Sequence, residues 1–207
     1  MLSMMVGIVF VLLLVAGVPA LSYLTARRVR VRSIPRPALY FSAVISQWIL
    51  AALGVLVVVA TGSGFAATGF RAVSAAAFAR WTFLLSFISL VAVGLWLLLE
   101  RRGWWPAESE LVYLLLPETR AEKLWAVFLL APTAAFCEEF LYRGYLLAHL
   151  SHWLHSAAWG LVVSSVAFGL AHIYQGLGGM ARAAVLGGLL AYPVLHLGTL
   201  YPSMAVH

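Results

Sequence analysis

Three stretches of this chain, residues 2–24, 38–60 and 81–99, contain no charged side chain at all. Each is about 20 residues long, the length a helix needs to cross the roughly 30 Å hydrocarbon core of a bilayer. A helix apolar on every side has no face to show water, so lipid is the solvent these runs are built for. Composition agrees. Hydrophobic residues make up 64% of the 207 and charged ones 10%, against roughly 25% charged in an average soluble domain. A soluble globular protein, a disordered chain and a nucleic-acid-binding domain are excluded.

The first run resembles a signal peptide in having Val18-Pro19-Ala20 as a small-residue site. It lacks a basic start and is followed at once by arginines, so a retained span is expected. After the third run comes a polar connection, residues 100–123, with Trp104, Trp105 and Tyr113 as interfacial aromatics and one short surface helix. A fourth helix is expected over 121–150, a fifth over 157–173 and a sixth over 180–195. Gly176, Gly178 and Gly179 mark the turn before the sixth, and Gly198 breaks it. A seventh starts at Tyr201-Pro202, with proline suited to a first helical turn. Two turns of helix cannot cross a bilayer, so the chain is expected to end inside its last helix. The fold class is therefore all-α, a polytopic transmembrane bundle of about seven helices (six to eight). Residues 1–120 read as a membrane anchor and 121–207 as a catalytic core, with no internal repeat or inverted symmetry.

The net charge of +6 is nearly all arginine. Arg27, Arg28, Arg30, Arg32 and Arg36 cluster between the first two runs, and Arg101, Arg102, Arg120 and Lys123 follow the third. The intervening loop holds only Arg71 and Arg80. The positive-inside rule then makes loops 25–37 and 100–123 cytoplasmic and puts the N-terminus outside. The Arg- and Ala-rich, Lys-poor composition points to the cell membrane of a high-GC prokaryote. A single cysteine, Cys137, excludes an internal disulfide.

All seven acidic residues are Glu; there is no Asp and no Asn. Five of them, Glu100, Glu108, Glu110, Glu118 and Glu122, lie in or beside the polar connection and read as solvated. The other two, Glu138 and Glu139, stand in an apolar helical stretch with Arg143. A charge at mid-membrane costs roughly 2.5–3.5 kcal/mol on insertion scales, so such residues face a bundle interior and mark function. Glu139 and Arg143 share a face at i,i+4 and can form a structural ion pair. Glu138 points about 100° away and has no partner on its own helix. It is a candidate general base or metal ligand; the bland alternative is a protonated core carboxyl.

His172 closes the fifth helix, one turn after Phe168. Taken alone it reads as an interfacial histidine. It gains weight because the preceding, antiparallel helix carries Glu138. His207 alone reads as a frayed terminal residue. His149, His152 and His155 have a spacing that suits zinc on a helix but sit in a loop-like stretch. They and His196 read as interfacial. No H-E-x-x-H helix and no G-x-S-x-G elbow occurs. An aspartyl intramembrane protease is impossible without Asp.

Glu138-Glu139-x-x-x-Arg143, Phe168-x-x-x-His172 and His207 together resemble the three motifs of the CAAX protease and bacteriocin-processing family, intramembrane endopeptidases also called the Abi family. The surrounding text is similar too: Glu139-Phe140-Leu141-Tyr142-Arg143-Gly144, Ala167-Phe168-Gly169-Leu170-Ala171-His172, and Gly187-Gly188-Leu189-Leu190 before Gly198-Thr199-Leu200-Tyr201-Pro202. The resemblance covers residues 131–207.

It implies that Glu138 activates the attacking water with His172 beside it. Glu139, paired with Arg143, would hold the helix. His207 would complete the site, as a metal ligand or an oxyanion donor. Phe168 supports His172. A Zn²⁺ held by Glu138, His172 and His207 is one option, since such a set leaves a fourth position for water. A metal-independent glutamate mechanism is the other. The family's last motif reads His, three residues, then Asn or Asp, and that fourth group is absent from this sequence. The expected partners are membrane lipid and a peptide or protein cleaved near the membrane, with no nucleic acid. Two rivals are a non-catalytic scaffold or immunity protein of the same fold and a proton-coupled transporter. Against the transporter stands the lack of repeats and paired broken helices.

Overall fold

The computed structural model describes the backbone of residues 2–31 and 34–207 and the side chains of residues 2–28 and 34–207. Arg30 and Arg32 of the basic cluster therefore lie outside the described side chains, and Arg32 outside the described residues altogether. Among the described residues every element is helical. We number eight helices: α1 (residues 2–31), α2 (Arg36–Thr61), α3 (Ala75–Arg101), α4 (Glu110–Leu115), α5 (residues 120–153), α6 (Ala157–Ala171), α7 (Gly176–Leu197) and α8 (Tyr201–Val206). Single 3₁₀ turns, Phe65–Thr68 and Ile173–Gln175, precede α3 and α7. Among the described residues five helical stretches are long and apolar enough to cross a membrane: Leu2–Arg28, Arg36–Thr61, Ala75–Arg101, Arg120–Trp153 and Ile173–Leu197. The chain is an integral membrane protein built as a polytopic helical bundle.

Local chemistry sets the helix boundaries. Thr119 and Glu122 open α5 with a reciprocal capping box. Ser74 and Ser156 accept N–H groups of the first turns of α3 and α6. Several ends differ from expectation. The first helix runs on to Val31, so Arg27 and Arg28 sit on its last turns rather than in a loop. The fourth reaches Trp153, which makes His149 and His152 helical. Gly178 and Gly179 lie inside the first turn of α7 rather than in the turn before it. The reason at Gly178 is close approach: a Cβ there would collide with the Pro106 carbonyl and the Trp105 indole.

Three segments widen to π-helical turns: Leu13–Gly17, Ala126–Leu130 and Glu139–Leu146. The first two come just before Pro19 and Pro132. A proline has no N–H to give and its ring crowds the carbonyl four residues back, here Val15 and Phe128; a widened turn relieves both. The third carries the glutamate–arginine motif, and single π-turns inside helices are frequent at functional sites.

The core is shared along the chain. Phe10 and Leu14 of α1, Ala51 and Val58 of α2, Phe140, Leu141 and Leu146 of α5 and Phe168 of α6 form one cluster. Phe10 packs edge-on to Tyr145 with ring centroids 5.0 Å apart. By contrast α3 buries only Leu85 and Trp96 and stands at the edge, against α8. Glu110 is exposed, as expected, but the other four glutamates of the polar connection are less free. Glu108 and Glu100 both pair with Arg182 of α7, Glu118 holds Arg36, and Glu122 is buried in its cap. α5 and α6 form a tight hairpin across residues 154–156.

Candidate active site

Glu138 is the last α-helical residue of α5 before its second π-segment, Glu139–Leu146. His172 directly follows α6, and its Nδ1 lies 2.9 Å from the Phe168 carbonyl one turn back. A carbonyl only accepts, so Nδ1 carries a proton and donates it. That fixes the tautomer and leaves Nε2 directed at Glu138 Oε2, 3.9 Å away. His207 follows α8. It is not frayed: its N–H donates to the Ser203 carbonyl at 3.0 Å, and its Nδ1 meets Glu139 Oε1 at 2.7 Å. Its Nε2 lies 3.6 Å from the same Glu138 Oε2. α8 itself is anchored by the Ser203 hydroxyl, which donates to the Leu190 carbonyl at 2.6 Å. Glu138, His172 and His207 thus meet at one carboxylate oxygen, each with its side chain 15–18% exposed.

Glu139 and Arg143 form the layer beneath, both essentially sealed from solvent at 0% and 2% exposure. Arg143 Nη1 is 3.2 Å from Glu139 Oε1, close enough for an ion pair though off the hydrogen-bond line. Its Nε donates to the Gly187 carbonyl at 3.3 Å, and the guanidinium lies 3.9 Å over the Phe168 ring. A Cβ at position 187 would come within 3.2 Å of both Arg143 Nη2 and Phe168, so glycine keeps this space open. Phe168 also contacts His172, with centroids 4.5 Å apart. The same Glu139 oxygen therefore holds Arg143 and His207. A buried carboxylate between two such partners is compensated and stiffens the imidazole that faces Glu138.

Glu138 lacks a partner on its own helix, as expected, but it has one on another. Gln47, near the middle of α2, donates from Nε2 to Glu138 Oε1 at 2.9 Å. Sequence reasoning missed this residue by treating the first half as plain anchor. The signal was present, because Gln47 is the one amide side chain in the uncharged run 38–60, and polar groups inside spans face protein interiors. The remaining histidines stay outside the site. His149 stacks on Tyr145, His152 neighbours His155, and His196 packs at a tilt against Tyr192.

One carboxylate and two imidazole nitrogens are donor types that zinc takes. As the side chains stand, however, no group of three His, Cys, Asp or Glu among the described residues is placed to hold a metal ion. The arrangement is suited to gripping and deprotonating a water: a carboxylate oxygen with two orientated imidazoles facing it, in an otherwise apolar bundle.

Residues 120–207 match the family model described as type II CAAX prenyl endopeptidase Rce1-like. This is consistent with the CAAX protease family that the three motifs resemble, and the matched segment contains all of them. No curated protein and no solved structure matches the chain.

Proposed function

We propose that this Rce1-like domain is an intramembrane endopeptidase that hydrolyses a peptide bond close to the membrane, with a water activated by Glu138 and His172. The observation that supports it most is the convergence of both imidazole Nε2 atoms on Glu138 Oε2. Peptide hydrolysis needs a base for the attacking water, a stabilised tetrahedral oxyanion and a proton for the leaving amine. Glu138 takes the proton of a water lying against Oε2 and His172 Nε2. The new C–O bond forms as the carbonyl π electrons move onto oxygen. A His207 carrying both protons gives one N–H to Glu139 and presents the other to the oxyanion. Collapse of the adduct breaks the C–N bond, and the proton held by Glu138 passes to the departing nitrogen. Glu139 and Arg143 keep His207 in place throughout.

The probe that tests this is a quenched fluorogenic peptide ending in a prenylated cysteine, two aliphatic residues and a variable one, presented to the protein in vesicles. Glu138→Gln, similar in shape and unable to accept the proton, is expected to lower kcat by about 10²–10⁴-fold. Turnover by Glu138→Gln equal to that of the unaltered protein would sink the reading. A chelator is expected to leave turnover unchanged. Loss on chelation, reversed by added zinc, would instead assign Glu138, His172 and His207 to a metal.

A further inference from the structure

Gln47 is the polar group at the site for which the peptidase chemistry above has no use. Its position is enforced. Next to it, Trp48 donates from Nε1 to the Thr133 hydroxyl at 3.2 Å and stacks on Phe136 with centroids 5.4 Å apart. These contacts fasten α2 to α5 within the two turns that precede Glu138. The amide has one hydrogen-bond partner among the described residues, Glu138 Oε1. Its own Oε1 is buried and unpaired. A glutamine kept for helix packing would bind a backbone carbonyl of its own or a neighbouring helix, as Ser42, Ser46 and Thr61 do in α2. Gln47 instead spends its donor on the reactive carboxylate and leaves its acceptor empty.

We propose, on the basis of the peptidase reading, that Gln47 is a positioning residue for Glu138. The amide N–H holds Oε1 and so turns Oε2 towards His172, His207 and the water between them. Being neutral, it orients the carboxylate without neutralising it, as a lysine or arginine would. The site is therefore completed by a helix that lies outside the segment 120–207.

The test uses Gln47→Met, close in length and well suited to an apolar span, and Gln47→Leu as a second variant. Both remove the donor. With the prenylated peptide in vesicles, kcat is expected to fall about 10–100-fold, the usual cost of losing a group that orients a reacting residue. KM should stay within about threefold and the thermal unfolding midpoint should not drop, because an apolar side chain suits this span. Full kcat in both variants, or a kcat loss matched by a loss of thermal stability, overturns the proposal. Glu138→Gln in the same assay tests the parent reading separately. A readout that needs no substrate is the infrared carboxylate band of Glu138, isolated by subtracting the Glu138→Gln spectrum at one pH. Losing the amide N–H should shift that band in Gln47→Met, and an unshifted band overturns the proposal whatever the assay gives.

Discussion

Arg143 shows how one side chain can serve packing and chemistry together. It neutralises Glu139, caps the Gly187 carbonyl and covers the Phe168 ring. Removing one member of a buried ion pair strands the other, at a cost of about 3–5 kcal/mol. Arg143→Ala should lower stability by that amount, read as thermal unfolding in detergent. The double change Glu139→Gln with Arg143→Met should recover part of it, because neither charge is then left alone. Equal stability of Arg143→Ala and the unaltered protein would show that the pair contributes little. This layer was legible in the sequence because charges inside an apolar run demand an explanation. Gln47 was not, since a neutral amide barely disturbs the hydropathy of its run. His207 had weight only through the motif resemblance; the contact with Glu139 that gives it a role joins residues far apart in the chain.

Among elements, α8 has the most leverage for its size. It is six residues long, rests on α7 through Ser203 and carries His207 into contact with both glutamates. Ser203→Val removes the hydrogen bond to the Leu190 carbonyl, a loss of about 0.5–1.5 kcal/mol. The expected signature is a drop in kcat of about tenfold, larger than the change in KM, as His207 loses its register. A variant with unaltered kcat would mean that α8 is held by its other contacts. Helix existence was readable from the apolar runs. The π-segments were not, because a widened turn leaves the hydrophobic pattern of the sequence unchanged and declares itself only in backbone geometry. Nor was the extension of α1 to Val31, since arginines propagate a helix as readily as they end a span.

At the scale of the molecule, the packing of α1 and α2 into the same core as α5 and α6 makes the two parts of the chain interdependent. Residues 120–207 produced alone in a membrane are expected to be inactive and sensitive to proteolysis. Co-production with residues 1–119 is expected to restore turnover. Autonomous activity of the shorter piece would contradict the shared core. The α5–α6 hairpin has a metrical consequence as well. From its turn at residues 154–156, each arm is about 15 residues long before it reaches Glu138 on one side or His172 on the other. At 1.5 Å per residue the α6 arm measures on the order of 23 Å, most of a hydrocarbon slab of about 30 Å; the α5 arm, π-helical over Glu139–Leu146, rises a little less. The hairpin is thus a ruler: its arms, equal in residue count, bring base and imidazole level with one another, and with the turn at one membrane surface their length would set the reactive pair near the opposite leaflet. Water would reach it from that side, and the acyl-chain length of the surrounding lipid would decide how far it has to travel.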